Sequence, residues 1–143
     1  MAGKGGVMVN INLCPCCSGL SYSQCCRPFH EGKAAPTAEA LMRSRYSAYV
    51  LANAAYLHRS WHSSTRLSKK SLVQPKQLEW QQLEILRTEA GQATDQEGLV
   101  EFIAYYSEQG EAQQLHELSR FTREKGRWVY LDALPNSSSV AGR

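Results

Sequence analysis

The sequence predicts an α+β domain in which N-terminal helices pack on one face of a curved antiparallel sheet, preceded by a small cysteine-rich knuckle. Apolar residues recur at helical spacing up to about residue 61, and the period approaches two from Glu79 onward. All five cysteines fall within residues 14–26. The 143 residues, 43% hydrophobic and 20% charged, suffice for one core that needs no disulfide framework.

The ends of the chain differ in composition from the part between them. Residues 1–12 are rich in glycine and residues 135–143 in small polar side chains, so both segments are predicted to be flexible. Between them we assign residues 13–35 to the knuckle and 36–134 to the α+β domain. No run approaches the roughly 20 apolar residues of a membrane span, and the start lacks a secretory signal, so we expect a cytoplasmic protein.

Two helices are predicted after the knuckle. Thr37 is suited to cap the first, with Glu39 in the first turn, where the helix dipole favours an anion. The apolar stripe of this helix consists of Leu41, Met42, Tyr46, Tyr49 and Val50. Asn53 is suited to cap a second, shorter helix that extends to residue 61, and the polar segment 62–70 is predicted to be a loop or a frayed turn.

Four strands are predicted in the second half of the chain, near residues 80–89, 98–107, 111–123 and 127–132. Gly110 and Gly126 lie at two of the connections, where a tight turn needs a left-handed backbone. Consecutive strands with short connections form an antiparallel meander, which the helices cover on one face.

The formal net charge of +3 conceals an asymmetry between the two halves. Residues 1–76 hold ten Lys and Arg against two Asp and Glu, whereas residues 77–143 hold six against eleven. The basic half suggests an acidic partner surface. Because the basic residues do not form a run, we favour a protein partner over nucleic acid.

The cysteines are the strongest functional signal. Thiols this dense in a reducing cytosol are typical of metal ligands, and four thiolates form a closed tetrahedral site for a structural zinc ion. The spacing favours one pair from Cys14 and Cys16 and a second from Cys25 and Cys26. Cys17 is then a spectator or a competing ligand. His30 as a replacement ligand, a redox-active pair and unliganded thiols are the alternatives.

The segment CPCCSGLSYSQCC resembles the SEC-C zinc motif, which is found at the tail of the bacterial preprotein-translocase motor. The runs APTAEALMRSRYSAYVLANAAYLHRSWH, GLVEFIAYYSEQG, LHELSRF and GRWVYLD extend the resemblance, over about residues 13–133, to the uncharacterised bacterial YchJ family. The resemblance implies zinc ligands Cys14, Cys16, Cys25 and Cys26. It also implies a cystatin-like cone similar to nuclear transport factor 2, but no reaction. Cys17 departs from the motif, which usually has glycine there.

A cone of this kind encloses a pocket. Alternation along the third strand places Leu115, Glu117, Ser119 and Phe121 on one face, and the two apolar residues favour this face as the inner one. Glu117 then needs a donor, for which Arg43, Arg45 and His62 are the candidates. Glu117 with His62 as a general acid or base is one hypothesis, in a pocket walled by Tyr46, Tyr49 and Phe102, and a structural pair is the alternative. The tryptophans are predicted to pack in the core or at the pocket rim.

These observations lead to three hypotheses about the function of the protein. The first is a cytosolic adaptor whose structural zinc knuckle presents a rigid basic surface to a protein partner, such as a component of the translation or secretion machinery. The second is a small-ligand-binding protein or enzyme that uses the pocket around Glu117. The third is a knuckle that binds nucleic acid, with an affinity that falls steeply as the salt concentration rises.

Overall fold

The computed structural model describes residues 13–72 and 78–134 and the backbone of Ser138–Ser139. The predicted flexible segment 1–12 lies outside the described residues, as does most of the segment 135–143. Three α-helices come first: α1 at Arg27–His30, α2 at Ala38–Val50 and α3 at Ala54–Arg59. Short 3-10 helices occupy Tyr22–Gln24 and Lys69–Leu72. No helix in the described part of the chain has the length and apolar character needed to span a bilayer.

Both predicted helix caps are confirmed. The Thr37 hydroxyl accepts a hydrogen bond from the Ala40 N–H at 3.0 Å, and Asn53 Oδ1 accepts one from the Tyr56 N–H at 3.0 Å. Each cap satisfies one backbone donor that has no partner inside its helix. The α3 helix ends at Arg59, two residues earlier than predicted. Val50 was expected on the buried stripe, but this prediction is wrong: Val50 is exposed at the C-terminal end of α2.

The sheet is an antiparallel meander of β1 at Leu78–Ala90, β2 at Glu97–Glu108, β3 at Glu111–Glu124 and β4 at Arg127–Ala133, paired in that order. The β2–β3 and β3–β4 connections are two-residue turns, each with positive φ at both residues: Gln109 and Gly110, Lys125 and Gly126. This geometry matches the twist of a hairpin. In the tail predicted to be flexible, the backbone of Ser138–Ser139 forms β5 and pairs with β3 at Leu115 and His116.

The edge strand β1 does not keep a strict alternation. Its register with β2 shifts between Trp80 and Gln82 and again between Ile85 and Arg87. Each bulge places an extra residue in the strand and reverses the phase of the side chains. Trp80 and Leu83, three residues apart, therefore both pack against the core.

The helices and the sheet bury a common core that includes three of the cysteines. Cys14, Cys16 and Cys26 belong to the same cluster as side chains of α2 and of all four long strands, which include Leu41, Met42, Tyr46, Leu83, Val100, Phe102, Phe121 and Trp128. A smaller cluster joins α2, α3 and Leu72. The structure confirms the α+β class, and the knuckle is part of the main core.

The α2 helix begins against the β1–β2 connection, where two glycines allow close packing. The Ala38 N–H donates to the Gly91 carbonyl at 2.9 Å. A Cβ added at Gly98 would lie 2.6 Å from Gly91 Cα and 3.1 Å from Ala38 Cβ. These distances leave no room for a methyl group unless backbone moves.

We expect Gly98→Ala to destabilise the protein by about 2 kcal/mol, because it overpacks a contact made by backbone. Urea denaturation followed by circular dichroism measures the effect. Glu97→Ala, at the neighbouring exposed position, should change the stability by about 0.5 kcal/mol or less. Equal stability of the Gly98 variant and the wild type would contradict this packing argument.

Candidate functional site

The first candidate site is the group of four thiols that the sequence singles out. The Sγ atoms of Cys14, Cys16, Cys25 and Cys26 all lie within 4.8 Å of one another. Two of the separations are 3.5 Å, between Cys16 and Cys25, and 3.9 Å, between Cys25 and Cys26. A tetrahedral zinc site with Zn–S bonds near 2.3 Å has edges of about 3.8 Å between sulfurs. The four thiols therefore fit a tetrahedral metal ion in donor type, number and spacing.

Two local structures bring the thiol pairs together. A hairpin-like turn, in which the Cys14 N–H donates to the Leu20 carbonyl at 2.8 Å, carries Cys14 and Cys16. The short 3-10 helix at Tyr22–Gln24 leads directly into Cys25 and Cys26, which precede α1. Pro28 lies in the first turn of α1, where its missing N–H costs no hydrogen bond.

Side chains of α2 and of the knuckle form hydrogen bonds with the four-thiol cluster and its backbone. Ser47 Oγ lies 3.4 Å from Cys14 Sγ, and Arg43 donates to the Cys16 carbonyl at 2.9 Å. Ser18 Oγ lies 3.1 Å from Cys25 Sγ. Hydroxyl donors beside sulfur stabilise thiolates and orient metal ligands. The sequence placed Arg43 as a candidate donor to Glu117, but its guanidinium contacts the knuckle and Glu39.

Cys17 is set apart from the four-thiol group. It is exposed, and its backbone has φ of 69°, the left-handed region that favours glycine. This conformation explains why the SEC-C motif usually has glycine there. The Cys17 sulfur accepts a hydrogen bond from the Leu83 N–H at 3.5 Å, and its S–H donates to the Pro15 carbonyl at 3.6 Å. Cys17 therefore contacts the edge strand β1 instead of the cluster.

His30, the alternative ligand, is engaged elsewhere. Its Nε2 donates to the Ser44 carbonyl at 2.8 Å, which requires Nδ1 to accept from the Tyr22 hydroxyl at 2.6 Å. Burial lowers the pKa of His30, so the imidazole is neutral at pH 7. Both ring nitrogens are used to join α1 and the preceding turn to α2.

The metal-free cluster holds protons on two of its thiols at neutral pH. Burial raises the pKa of Cys25 to about 11. The hydrogen bond with the Cys14 sulfur is the main cause that raises the pKa of Cys26, whereas hydrogen bonding from Cys16 lowers the pKa of Cys14. The hydrogen bonds among the sulfurs thus favour the thiolate at Cys14 and the protonated thiol at Cys25 and Cys26, and the sulfurs titrate as a coupled group.

The second candidate site is a cavity of about 310 Å³ between α2 and the sheet. All five predicted pocket residues line it: Tyr46, Tyr49, Phe102, Glu117 and Ser119. Tyr130, which was not predicted from the sequence, also lines the cavity. So do Trp61 and Trp80, which were predicted to be core or rim residues. The indole Nε1 atoms of these two tryptophans are buried and have no hydrogen-bond partner among the described residues.

Glu117 obtains its hydrogen-bond donors from the sheet. Its Oε2 accepts from the Ser119 hydroxyl at 2.6 Å and from the Tyr130 hydroxyl at 3.1 Å. Burial raises the pKa of Tyr130, which keeps the phenol protonated as a donor. The structure does not bring His62 to Glu117. The His62 ring contacts the Ser64 hydroxyl at 2.8 Å and lies 3.8 Å from the Glu124 carboxylate.

Arg45 is buried beside this cavity, with 3% of its surface exposed. It donates to the Leu57 carbonyl at 2.9 Å and to Ser60 Oγ at 2.8 Å, and its guanidinium lies 5.0 Å from the Trp61 ring centroid and 4.8 Å from that of Tyr130. No carboxylate pairs with it within 4.0 Å in the described part of the chain. The expectation that Arg45 donates to Glu117 is therefore wrong, and aromatic faces and neutral acceptors surround the cation.

Comparison with known proteins gives a consistent result. A family model described as the middle NTF2-like domain of YchJ matches residues 37–133. A UPF0225 protein of Xanthomonas oryzae pv. oryzae is 48% identical over 122 residues, which cover 84% of this chain and 92% of the relative. A UPF0225 protein of Streptomyces coelicolor is 49% identical over 120 residues, which cover 83% and 92%.

Two solved structures are similar over most of the chain. The solution structure of a SEC-C motif containing protein from Rhodopseudomonas palustris has a TM-score of 0.76 and 31% identity, with 85% of this chain and 96% of that one covered. The crystal structure of a SEC-C motif containing protein from Psychrobacter arcticus has a TM-score of 0.72 and 30% identity, with 92% and 85% covered. Both similarities cover more of the chain than residues 37–133, which the family model matches.

Proposed function

This chain belongs to the YchJ family, also designated UPF0225, and from that premise we propose that it is a cytoplasmic adaptor whose zinc ion is structural. The observation that carries the proposal is that four Sγ atoms lie within 4.8 Å of one another, with three of the cysteines in the main core and Cys25 packed against it. Four protein ligands leave no open position on zinc for water or substrate. The ion would hold the knuckle folded, and the function would reside in the surface that the knuckle presents.

That surface has apolar side chains on a rigid support. Leu13 is 39% exposed and Leu20 is 51% exposed, and both belong to the hairpin-like turn that carries Cys14 and Cys16. Exposed leucines on a small metal-stabilised turn are suited to contact another protein. The basic first half of the chain favours an acidic partner surface, and components of the translation or secretion machinery are the partners we propose.

The adaptor role is tested with purified ribosomes, with the purified translocase motor and with cell extract, using the tagged full chain as bait. We expect a partner to be retained by the wild type and by Cys17→Ser, and to be lost by Cys25→Ser. Leu20→Asp, which leaves the thiols intact, should also lose it. If all four proteins recover the same partners in equal amounts, the adaptor proposal fails.

The protonation state of the free cluster predicts how zinc affinity depends on pH. Cys25 and Cys26 have raised pKa values, so both are protonated at pH 7 without metal and must lose their protons to bind zinc. We expect at least two protons to be released per zinc, so affinity rises about a hundredfold per pH unit near neutrality and falls towards acid pH. Calorimetric titration in two buffers of different ionisation enthalpy counts these protons, and a release near zero would contradict the expectation.

A small-molecule ligand in the 310 Å³ cavity is the second candidate function. The polar group formed by Glu117, Ser119 and Tyr130 in a mostly apolar and aromatic lining favours it. A mostly apolar ligand with a hydrogen-bond donor for the Glu117 carboxylate suits this lining. A thermal-shift screen of small aromatic compounds should find one that stabilises the wild type but not Ala104→Leu, which reduces the cavity. The absence of any stabilising compound from a broad screen would argue against this function.

A further inference from the structure

A second cavity, larger than the first, lies outside both sites described above. This groove of about 530 Å³ lies between the loop after α1, the segment from α3 to residue 66 and the β3–β4 turn. Its rim carries five basic residues: Lys33, Arg59, Arg66, Lys125 and Arg127. We call it the basic groove. Buried side chains such as Leu41, Tyr56 and Trp128 form its floor.

The basic groove concentrates the positive charge of the molecule. It holds five of the 16 Lys and Arg and one of the 13 Asp and Glu, so it carries a net charge of +4 whereas the rest of the chain carries −1. Lys33, Arg59 and Arg66 come from the basic half of the sequence, and Lys125 and Arg127 come from the acidic half. Folding therefore assembles a cationic patch that no run of sequence reveals, and a concave patch of one sign attracts anions.

Two of the arginines are held in place by backbone carbonyls. Arg127 Nη1 donates to the Gly32 carbonyl at 3.0 Å, and Arg59 Nη2 donates to the His30 carbonyl while its guanidinium lies 4.9 Å from the Tyr56 ring centroid. Neither forms an ion pair with a carboxylate among the described residues. Each guanidinium has five N–H donors, so both arginines keep donors for a ligand.

The single carboxylate of the lining, Glu124, reduces the charge of the groove to +4 and forms no ion pair within 4.0 Å with the five basic residues. Glu124 accepts from the Ser63 N–H at 3.1 Å and from the Ser63 hydroxyl, and it lies 3.8 Å from His62 Nε2. Its oxygens are thus directed to the loop after α3. Lys33, Lys125 and Arg66 likewise form no ion pair within the part of the chain that the structure describes.

We propose that the basic groove binds a small organic phosphate with at least two phosphoryl groups. Its volume lies within the range of small-molecule sites, roughly 300–1,000 Å³. A net charge of +4 in this space matches a compact polyanion, and fixed guanidinium groups pair well with phosphoryl oxygens. Two of the three aromatic rings in the lining have no free face on which the bases of a single strand could stack, because Tyr56 is packed by Arg59 and His30 and Trp128 lies under Arg123. The third ring, Phe29, is half-buried.

The test titrates inorganic tripolyphosphate and ATP into the zinc-loaded full chain by calorimetry. We expect binding of both that weakens as salt rises. Lys33→Glu with Lys125→Glu, two exposed positions, should weaken tripolyphosphate by about tenfold or more. Lys69→Glu with Lys70→Glu makes the same change in net charge outside the groove and should alter the affinity by about twofold or less.

Three outcomes would overturn the proposal. The first is no binding of either probe at about 1 mM, the weakest affinity that would matter for a metabolite. The second is equal weakening by both double variants, which would show only an effect of net charge. The third is a single-stranded RNA or an acidic peptide that displaces tripolyphosphate at lower concentration, which would assign the groove to a macromolecule. Zinc content measured on each variant separates these results from loss of the knuckle.

Discussion

Replacing Cys16 by serine is expected to abolish zinc binding and to lower the stability of the whole domain, not of the knuckle alone. The Cys16 side chain is fully buried, in one cluster with Leu41, Tyr46 and Phe102. Without the metal, this core would contain a serine and three thiols with no cation to balance a thiolate. The loss should reach several kcal/mol, because binding of a structural zinc ion supplies folding free energy.

The measurements are zinc per chain by elemental mass spectrometry and unfolding in urea, on protein purified without chelators. The wild type should contain about one zinc and the Cys16 variant almost none. Cys17→Ser is the matched control, since Cys17 is exposed and outside the cluster, and it should keep the metal and nearly all the stability. Equal zinc content in the wild type and the Cys16→Ser variant would show that the metal site is elsewhere or absent.

Replacing Arg45 by alanine is expected to have the second largest effect, a loss of about 3 kcal/mol or more in the free energy of unfolding. The change removes a guanidinium that lies over the rings of both Trp61 and Tyr130, and it enlarges the cavity beside them. It also leaves the Leu57 carbonyl without this buried donor. Burial lowers the pKa of Arg45, but an arginine remains charged at neutral pH, so the loss should not depend on pH between about 5 and 8.

The control for this prediction is Arg43→Ala on the same helix. Arg43 is partly exposed, and its side chain contacts Glu39 and the Cys16 carbonyl. We expect that variant to lose about 1 kcal/mol, the net value of one hydrogen bond. Urea denaturation of both variants measures the difference. A loss at Arg45 no larger than at Arg43 would show that the aromatic contacts of the buried cation contribute little.

Several features of this protein depend on residues that are close in sequence, and these were predictable. The Thr37 and Asn53 caps bind N–H groups three residues away, and each hairpin turn is two residues long. The alternation on β3 likewise placed Glu117 and Ser119 towards the cavity. In all these cases the controlling interaction lies within a few residues, so composition and period specify it.

The partners of Glu117 depend on strand register, which is a property of the sheet. Tyr130 lies opposite Phe121 in the regular register that the β3–β4 turn sets, and its hydroxyl reaches Glu117, four residues before Phe121 on β3. The bulges of β1 similarly decide that Trp80 and Leu83 face the same way. Three basic side chains were equally plausible donors for Glu117 in the sequence, and none of them is used.

By itself, the sequence determined the α+β class, the helix caps, the hairpin turns and the four cysteines that are able to hold a metal, because each rests on local hydrogen bonds or on residue type and spacing. Only the tertiary structure decided that the knuckle belongs to the main core, that Arg45 lies over the rings of Trp61 and Tyr130, and that five basic residues surround one groove. Those arrangements depend on residues that are far apart in the sequence; the hydrogen bond between Arg127 and the Gly32 carbonyl, for example, joins residues 95 positions apart. Contacts at such separations are selected by how whole elements pack, which no local pattern encodes.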